Sequence, residues 1–179
     1  GDALNDRAAF QAGTVKSIAS LDAFDGSFIY SPSFTWGNQP TAPFNDTFAL
    51  WEDRNLWLTA LAAGQDRFSS FGIGPAYDDT VNRDGLGGRP RGFTIKPYPH
   101  GEDAPSFYDL SWASARAHPP TLAAIATYNE YFEGSSIEAS REYGDRFLAA
   151  TLEQRALWEA ATAPGRDVAV LLHERSSRT

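Results

Sequence analysis

The chain has 179 residues, of which 42% are hydrophobic and 21% charged, and its net charge is −8. These proportions are typical of a globular protein, so we expect one domain over residues 1–179, with a tail at 166–179 that the sequence leaves open. The acidic balance excludes the basic surface of a nucleic-acid-binding protein. The chain contains no cysteine, which excludes disulfides and thiolate zinc sites. No apolar run approaches the roughly 20 residues of a membrane span.

The first third of the chain predicts a helix, a short strand and a loop. Residues 3–12 have the composition of a short helix, and Phe28–Tyr30 form a β-like run. Residues 31–46 are rich in Ser, Pro, Gly and Asn and predict a long loop. Within it, the Trp36 ring either stacks on a sugar face or lies beneath the loop.

The middle of the chain predicts a helix, a strand and a long connection. Residues 47–64 repeat apolar side chains at helical spacing and end in glycine. Residues 66–75 predict an extended strand. The nearly thirty residues that follow, to about Ser106, are rich in Gly and Pro. This is long for a structureless connection, so it favours a functional or a disordered loop.

The last third predicts two helices and one or two strands. In 107–118 the side chains Tyr108, Trp112 and Ala115 share one helical face, and 122–130 begins with a short apolar run. Residues 167–174 are a β-like or helical run. The clearest helix is 141–162, with an apolar stripe of Phe147, Leu148, Leu152, Ala156 and Trp158.

Helices and strands that alternate in this way predict parallel βα units, and the chain holds about three of them. An eight-unit barrel typically needs about 250 residues. The sequence therefore leaves two alternatives, a smaller α/β sheet or the carboxyl-terminal part of a barrel. The chain begins at Gly1 rather than Met, as expected if an N-terminal segment has been removed.

Three carboxylates and an amide lie in the segment from Tyr128 to Glu138, just after the short apolar strand predicted to begin at residue 122. Sites in parallel α/β folds form at the carboxyl ends of strands. Glycoside cleavage needs two carboxyl groups, one that donates a proton to the leaving oxygen and one that acts on the sugar. Glu130 and Glu133 are the candidates for this pair. The alternative is a solvated loop in which a glutamate caps the next helix, and we interpret Glu138 as a helix-start residue without a chemical role.

Two segments carry a family resemblance. NEYFEGSSIEAS, at 129–140, resembles the N-E-W-x-E-G-S/T-x-I-E-P segment of family 99 glycoside hydrolases, the endo-α-1,2-mannosidases and mannanases. GIGPAYDDTVNR, at 72–83, resembles the G-P-G-Y-x-D-T-x-x-R segment of that family. FDGSFIY, at 24–30, resembles its strand before a sugar-facing loop. The resemblance runs from about residue 22 to residue 158.

The resemblance implies a (β/α)8 barrel of the TIM type, of which this chain holds the carboxyl-terminal units while the first strands lie outside it. It implies a retaining endo-acting enzyme on α-mannoside chains, without cofactor or metal. Glu130 would be the base on the sugar 2-hydroxyl and Glu133 the general acid and base. Tyr77, Asn129 and Tyr131 would contact substrate, with Trp36 as a further candidate. An oligosaccharide or polysaccharide substrate favours a secreted or periplasmic protein.

The chain departs from the family pattern at the neighbours of the pair. Tyr131 stands for Trp and Phe132 for a polar residue, while Ser136 and Ala139 replace Gln and Pro. Both carboxylates are kept, so the departures bear on the sugar and its linkage. Two alternatives stay open: a carbohydrate-binding or degenerate barrel protein without activity, and a polysaccharide-biosynthesis enzyme with a similar barrel. Asp78 and its neighbour either bind a ligand or fix a turn.

Overall fold

The structure, a computed structural model, describes residues 26–27, 44–78, 94–95, 97–98 and 101–172. The predictions for 3–12, Phe28–Tyr30 and Trp36 lie outside these residues. The helices and strands within them are β1 (Gly26–Ser27), α1 (Phe44–Gly64), β2 (Phe68–Ile73), β3 (Tyr77–Asp78), β4 (Thr94–Ile95), α2 (Phe107–Ala117), β5 (Leu122–Ile125), α3 (Arg146–Ala161) and β6 (Asp167–Val170). Of these helices, none is long and apolar enough to cross a membrane.

The described strands β1, β2, β5 and β6 form a four-stranded sheet in which every neighbouring pair is parallel. Their order in space is their order in the chain. A connection between neighbouring parallel strands is a right-handed crossover. Because each crossover here leads to the next strand on the same side, all connecting helices pack on one face of the sheet. Helix α1 contacts α2, and α2 contacts α3, as this arrangement requires. The predicted parallel α/β class is therefore confirmed.

Aromatic rings fill the space between the helices and the sheet. Trp51 of α1 meets Phe71 of β2 edge to face, with ring centroids 5.2 Å apart. Trp112 of α2 packs against Trp158 of α3 in the same way, at 6.2 Å. All four rings are fully buried. Offset edge-to-face contacts of this kind add to the free energy gained by burying apolar area, so these pairs orient the helices on the sheet.

A buried amide fixes α1 to the sheet. Asn55 is fully buried, its Nδ2 donates to the Trp51 carbonyl at 3.0 Å, and its Oδ1 accepts from the Gly72 amide at 2.9 Å. A buried polar side chain is stable only when its hydrogen bonds are made. Asn55 therefore sets the position of α1 along β2, the strand that leads to the first of the two motif segments.

The last described helix departs from its prediction at both its start and its face. It begins at Arg146 rather than 141, because Ser140 and Gly144 exchange two backbone hydrogen bonds of 2.9 Å and Gly144 takes a left-handed φ of 58°. Leu152 of the predicted stripe is 71% exposed. A polar residue, Gln154, is buried instead, because it bonds to Asp109 and Arg116 of α2.

The long connection before α2 is not structureless where it is described. Tyr77–Asp78 pairs in antiparallel fashion with Thr94–Ile95. Ser106 then begins α2 with a capping box, since its hydroxyl accepts from the Asp109 amide at 3.0 Å and the Asp109 carboxylate accepts from the Ser106 amide at 3.0 Å. The run left open at 167–174 forms a strand over its first four residues.

Candidate active site

The two motif segments meet at one edge of the sheet. The first follows β2 and contains Tyr77 and Asp78, and the second follows β5 and contains the two candidate carboxylates. The Tyr77 hydroxyl donates to Glu133 Oε1 at 3.4 Å, across 56 residues of sequence. Neighbouring parallel strands point their carboxyl ends to the same edge, which is why segments so distant in sequence come together.

The loop after β5 is closed by bonds to its own backbone. Thr127 is central to it: its amide donates to the Ser135 carbonyl at 2.9 Å, and its Oγ1 accepts from the Glu130 amide at 2.9 Å. The Thr127 carbonyl accepts from the Ile137 amide at 3.0 Å. Both Thr127 and Ile137 are almost fully buried. These contacts hold the backbone that carries Glu130 in one conformation.

The candidate carboxylates have unlike surroundings. Glu130 is only 6% exposed and directly precedes a 3-10 turn at Tyr131–Glu133. Glu133 ends that turn, is half-buried and reaches the Tyr77 hydroxyl. One carboxyl group is therefore enclosed by protein, while the other lies within reach of solvent and beside a hydroxyl donor. An acid and a base that share a site are expected to differ in this way.

Gly134 brings the two segments into direct contact. It ends the 3-10 turn in the left-handed region, at a φ of 60°. A Cβ at this position would lie 3.2 Å from both the Cβ and the amide nitrogen of Asp78. Glycine therefore serves here both for its backbone conformation and for the close approach of the first motif segment.

Glu138 has a different place from the one predicted. Helix α3 begins well after Glu138, and Glu138 Oε2 accepts a hydrogen bond from the Tyr131 hydroxyl at 2.6 Å. This bond orients the Tyr131 ring, which is 39% exposed. Asn129 is half-buried, and its carbonyl accepts from the Tyr131 amide at 3.1 Å. The structure thus brings Glu133 of this loop into contact with Tyr77, while Trp36 lies outside the described residues.

A cavity of about 510 Å³ lies next to the 3-10 turn that ends at Glu133. Neither Glu130 nor Glu133 lines it, but Tyr131 and Gly134 of the 3-10 turn do. Its other side is formed by the turn before α3, where Arg141, Glu142 and Tyr143 lie. This turn was predicted as helix, so its part in a site was missed; Gly144 behind a run of polar residues was the available signal of a turn.

Tyr143, which lines the cavity, has a shifted pKa. Burial, and after it the neighbouring Glu142 carboxylate, raise the pKa of Tyr143 to about 12, with smaller contributions from Tyr98 and Asp78. Its hydroxyl stays protonated at ordinary pH, and its hydrogen bond to the Glu142 side chain is part of the reason. Over the described part of the chain no three His, Asp or Glu side chains are grouped closely enough to hold a metal ion.

No family model and no curated protein matches the chain. Among solved structures it is similar to the GH99 endo-alpha-mannosidase from Bacteroides thetaiotaomicron, with 19% identity and a TM-score of 0.43. The likeness covers 76% of this chain and 39% of the other, so the chain spans less than half the length of that protein.

Proposed function

We propose that the chain supplies the catalytic carboxylate pair of a retaining, endo-acting glycoside hydrolase that cleaves α-mannosides. The observation that supports this is the contact between Tyr77 and Glu133. It joins the two segments that resemble family 99 motifs, at the edge of the sheet where parallel α/β proteins place their sites. A pair of glutamates in an unrelated solvated loop would have no reason to meet the first segment.

The proposed reaction proceeds in two steps with balanced proton transfers. In the first, Glu130 takes the proton of the sugar 2-hydroxyl, whose oxygen attacks C1 as the bond to the leaving oxygen breaks. Glu133 gives its proton to that oxygen. In the second step, Glu133 takes a proton from water, and the water oxygen attacks C1. This opens the three-membered ring of C1, C2 and the 2-oxygen that the first step formed, and Glu130 returns its proton to the 2-oxygen. Two inversions at C1 give overall retention.

The surroundings of the two groups support this division of roles. The enclosed position of Glu130 suits a base that acts on a hydroxyl of the bound sugar, because water is kept from its carboxylate. The half-buried position of Glu133 suits a group that must meet both the leaving oxygen and water. Tyr77 beside it is placed to orient the carboxyl group.

The order of the strands supports the barrel part of the proposal. In a (β/α)8 barrel every strand lies beside its predecessor, whereas a doubly wound sheet reverses direction at a switch point. The four described parallel strands keep their chain order. The proposal therefore includes a barrel that these units build in part. The substrate class, an oligosaccharide or polysaccharide, is the reason to propose a secreted or periplasmic protein.

The test is the release of oligosaccharide from an α-mannan. Glu133→Gln keeps the shape of the side chain and removes its acid, so we expect the rate to fall about 100-fold or more. Glu130→Gln should have a comparable effect. Glu153→Gln, the same change on the exposed surface of α3, is the matched control and should leave the rate unchanged.

A Glu133→Gln variant with a rate near that of the unmodified protein would falsify the assignment. Two other outcomes would point to the alternatives. Binding of α-mannosides without release of product on any of them would indicate a carbohydrate-binding protein. Turnover that depends on an added nucleotide sugar would indicate a biosynthetic enzyme.

A further inference from the structure

The cavity next to the 3-10 turn, here called the Tyr143 cavity, shares that turn with the proposed site. Tyr131 and Gly134 line it, and Glu133 lies between them in sequence. Its volume of about 510 Å³ falls within the ~300–1,000 Å³ typical of pockets for small ligands. The cavity is therefore large enough for one further unit of a chain-like ligand that passes along this turn.

The walls of the Tyr143 cavity combine ring faces with charges that cancel. Tyr131, Tyr143 and Phe147 contribute aromatic surface, and Ser136 contributes a hydroxyl. Arg141 and Glu142 are both exposed at the cavity and carry opposite charge. A wall without net charge favours a neutral ligand over an anion or a cation, and aromatic faces beside hydrogen-bonding groups suit a ring that is apolar on its face and polar at its edge.

The walls are also fixed before any ligand arrives. Tyr143 packs against Phe147 with ring centroids 5.3 Å apart, and Tyr98 stacks on Phe147 at 6.3 Å. The Tyr143 amide donates to Ser140 Oγ at 3.0 Å, inside the turn that Ser140 and Gly144 close. On the opposite wall, the bond to Glu138 holds the Tyr131 ring. A preformed wall saves the entropy that ordering it would cost on binding.

We propose that the Tyr143 cavity binds one uncharged sugar unit of the glycan chain, next to the unit that lies at Glu130 and Glu133. This rests on the proposed function, which supplies the chain that enters the cavity. Tyr131 and Tyr143 offer ring faces to the sugar, while Arg141 and Glu142 hydrogen-bond its hydroxyls. The residues are thus specificity determinants for the length of the substrate, and they take no part in bond cleavage.

The experiment is calorimetric titration of the full chain with linear α-mannosides of two, three and four units, in the Glu133→Gln background so that none is consumed. We expect affinity to rise by about tenfold or more at the length that first reaches the cavity. Arg141→Ala and Tyr143→Ala should remove that gain, and Tyr143→Phe should keep most of it because the ring remains. Arg155→Ala, an equally exposed arginine on α3, is the matched control and should keep all of it.

Equal affinity for all three lengths, or a gain that survives in both Arg141→Ala and Tyr143→Ala, would overturn the inference. If Tyr143→Ala does not fold by circular dichroism, Arg141→Ala decides, since this side chain is exposed in a turn. Failure of the proposed function looks different. In that case the gain is present and is lost in the variants, while the unmodified protein releases no product from an α-mannan.

Discussion

At the scale of single residues, the site depends on a glycine as much as on its glutamates. Gly134 places Glu133 beside Tyr77 because it turns the backbone in a left-handed conformation and leaves room for Asp78. The resemblance of the motif pointed to this glycine, but the partner it approaches lies in another segment. Contacts between distant segments leave no periodic pattern in a sequence, so the Asp78 approach could not be predicted.

Substitution of this glycine separates the two effects. Gly134 and Gly144 have nearly the same φ, at 60° and 58°, but a Cβ at Gly144 would meet no atom within 4 Å. Gly144→Ala should therefore cost only the left-handed conformation, about 1–2 kcal/mol of unfolding free energy. Gly134→Ala should cost more and should also lower the rate on an α-mannan, because Asp78 and the turn must separate.

The two variants are compared by urea unfolding and by the rate of product release. Equal destabilisation by the two substitutions, with unchanged rates in both, would mean that the Asp78 contact neither stabilises the fold nor positions Glu133.

At the scale of elements, α2 and α3 meet along a seam that is partly polar. The Tyr108 hydroxyl and Thr151 Oγ1 share a hydrogen bond of 2.8 Å, and Gln154 Nε2 donates to Asp109 at 3.0 Å. The predicted face of α2 is confirmed, since Tyr108 and Trp112 are fully buried there. The predicted face of α3 is confirmed for Phe147 and Trp158, which are buried. It is wrong at Leu152, because the periodicity rule counts apolar residues, whereas this helix buries a hydrogen-bonded Gln154 in its place.

Because Tyr108 is buried in this seam, the free energy of unfolding should fall at alkaline pH. Burial raises the pKa of Tyr108 from its ordinary value near 10 to about 12. The unfolded chain therefore loses this proton first, so the stabilisation is present below pH 10 and is lost as pH rises towards 12, by about 3 kcal/mol. Tyr108→Phe removes the titrating group and with it this part of the loss.

Urea unfolding of the two proteins at pH 8 and at several values up to pH 12 checks this. At pH 8 the unmodified protein should be the more stable by about 1 kcal/mol, the ordinary contribution of a hydrogen bond such as that to Thr151. By pH 12 the order should reverse. A constant difference across the range would show that Tyr108 does not titrate differently in the folded state.

At the scale of the whole molecule, the sequence was sufficient for the parallel α/β class and for the neighbourhood of the site. Alternating helices and strands predicted parallel units, and both motif segments follow strands, which places them at one edge. What escaped prediction was the hydrogen-bonded irregular structure: the antiparallel pair of β3 with β4, and the turn closed by Ser140 and Gly144. Such pairs depend on partners brought together by the fold rather than on local composition.

The loop that carries the carboxylates is hydrogen-bonded to an inner strand of the described sheet and to the segment just beyond an edge strand. The Ala126 amide donates to Ile73 of the inner strand β2 at 2.8 Å, while the Tyr128 amide donates to Leu171, just beyond β6, at 2.8 Å. β6 lies at an edge of the described sheet, and Val170 and Leu172 are exposed there. Local opening of this edge should release Tyr128 alone.

Native-state hydrogen exchange distinguishes the two amides. Exchange at Ala126 should require global unfolding and accelerate steeply with urea, whereas exchange at Tyr128 should be faster and nearly independent of urea at low concentration. Equal rates with equal urea dependence would place the loop and the whole sheet in one cooperative unit, contrary to this expectation.

The order of the parallel strands in the sheet matches their order in the chain, and this affects the order in which they fold during synthesis. A chain that emerges from the ribosome amino-terminus first offers each new strand a partner that is already made. β2 and Tyr77 have therefore already been synthesised when β5 pairs with β2, and the turn with Glu133 follows β5 within a few residues. We expect the carboxylate pair to be positioned before α3 and β6 are synthesised. Pairing of β6 with β5 then stabilises a site that has already formed.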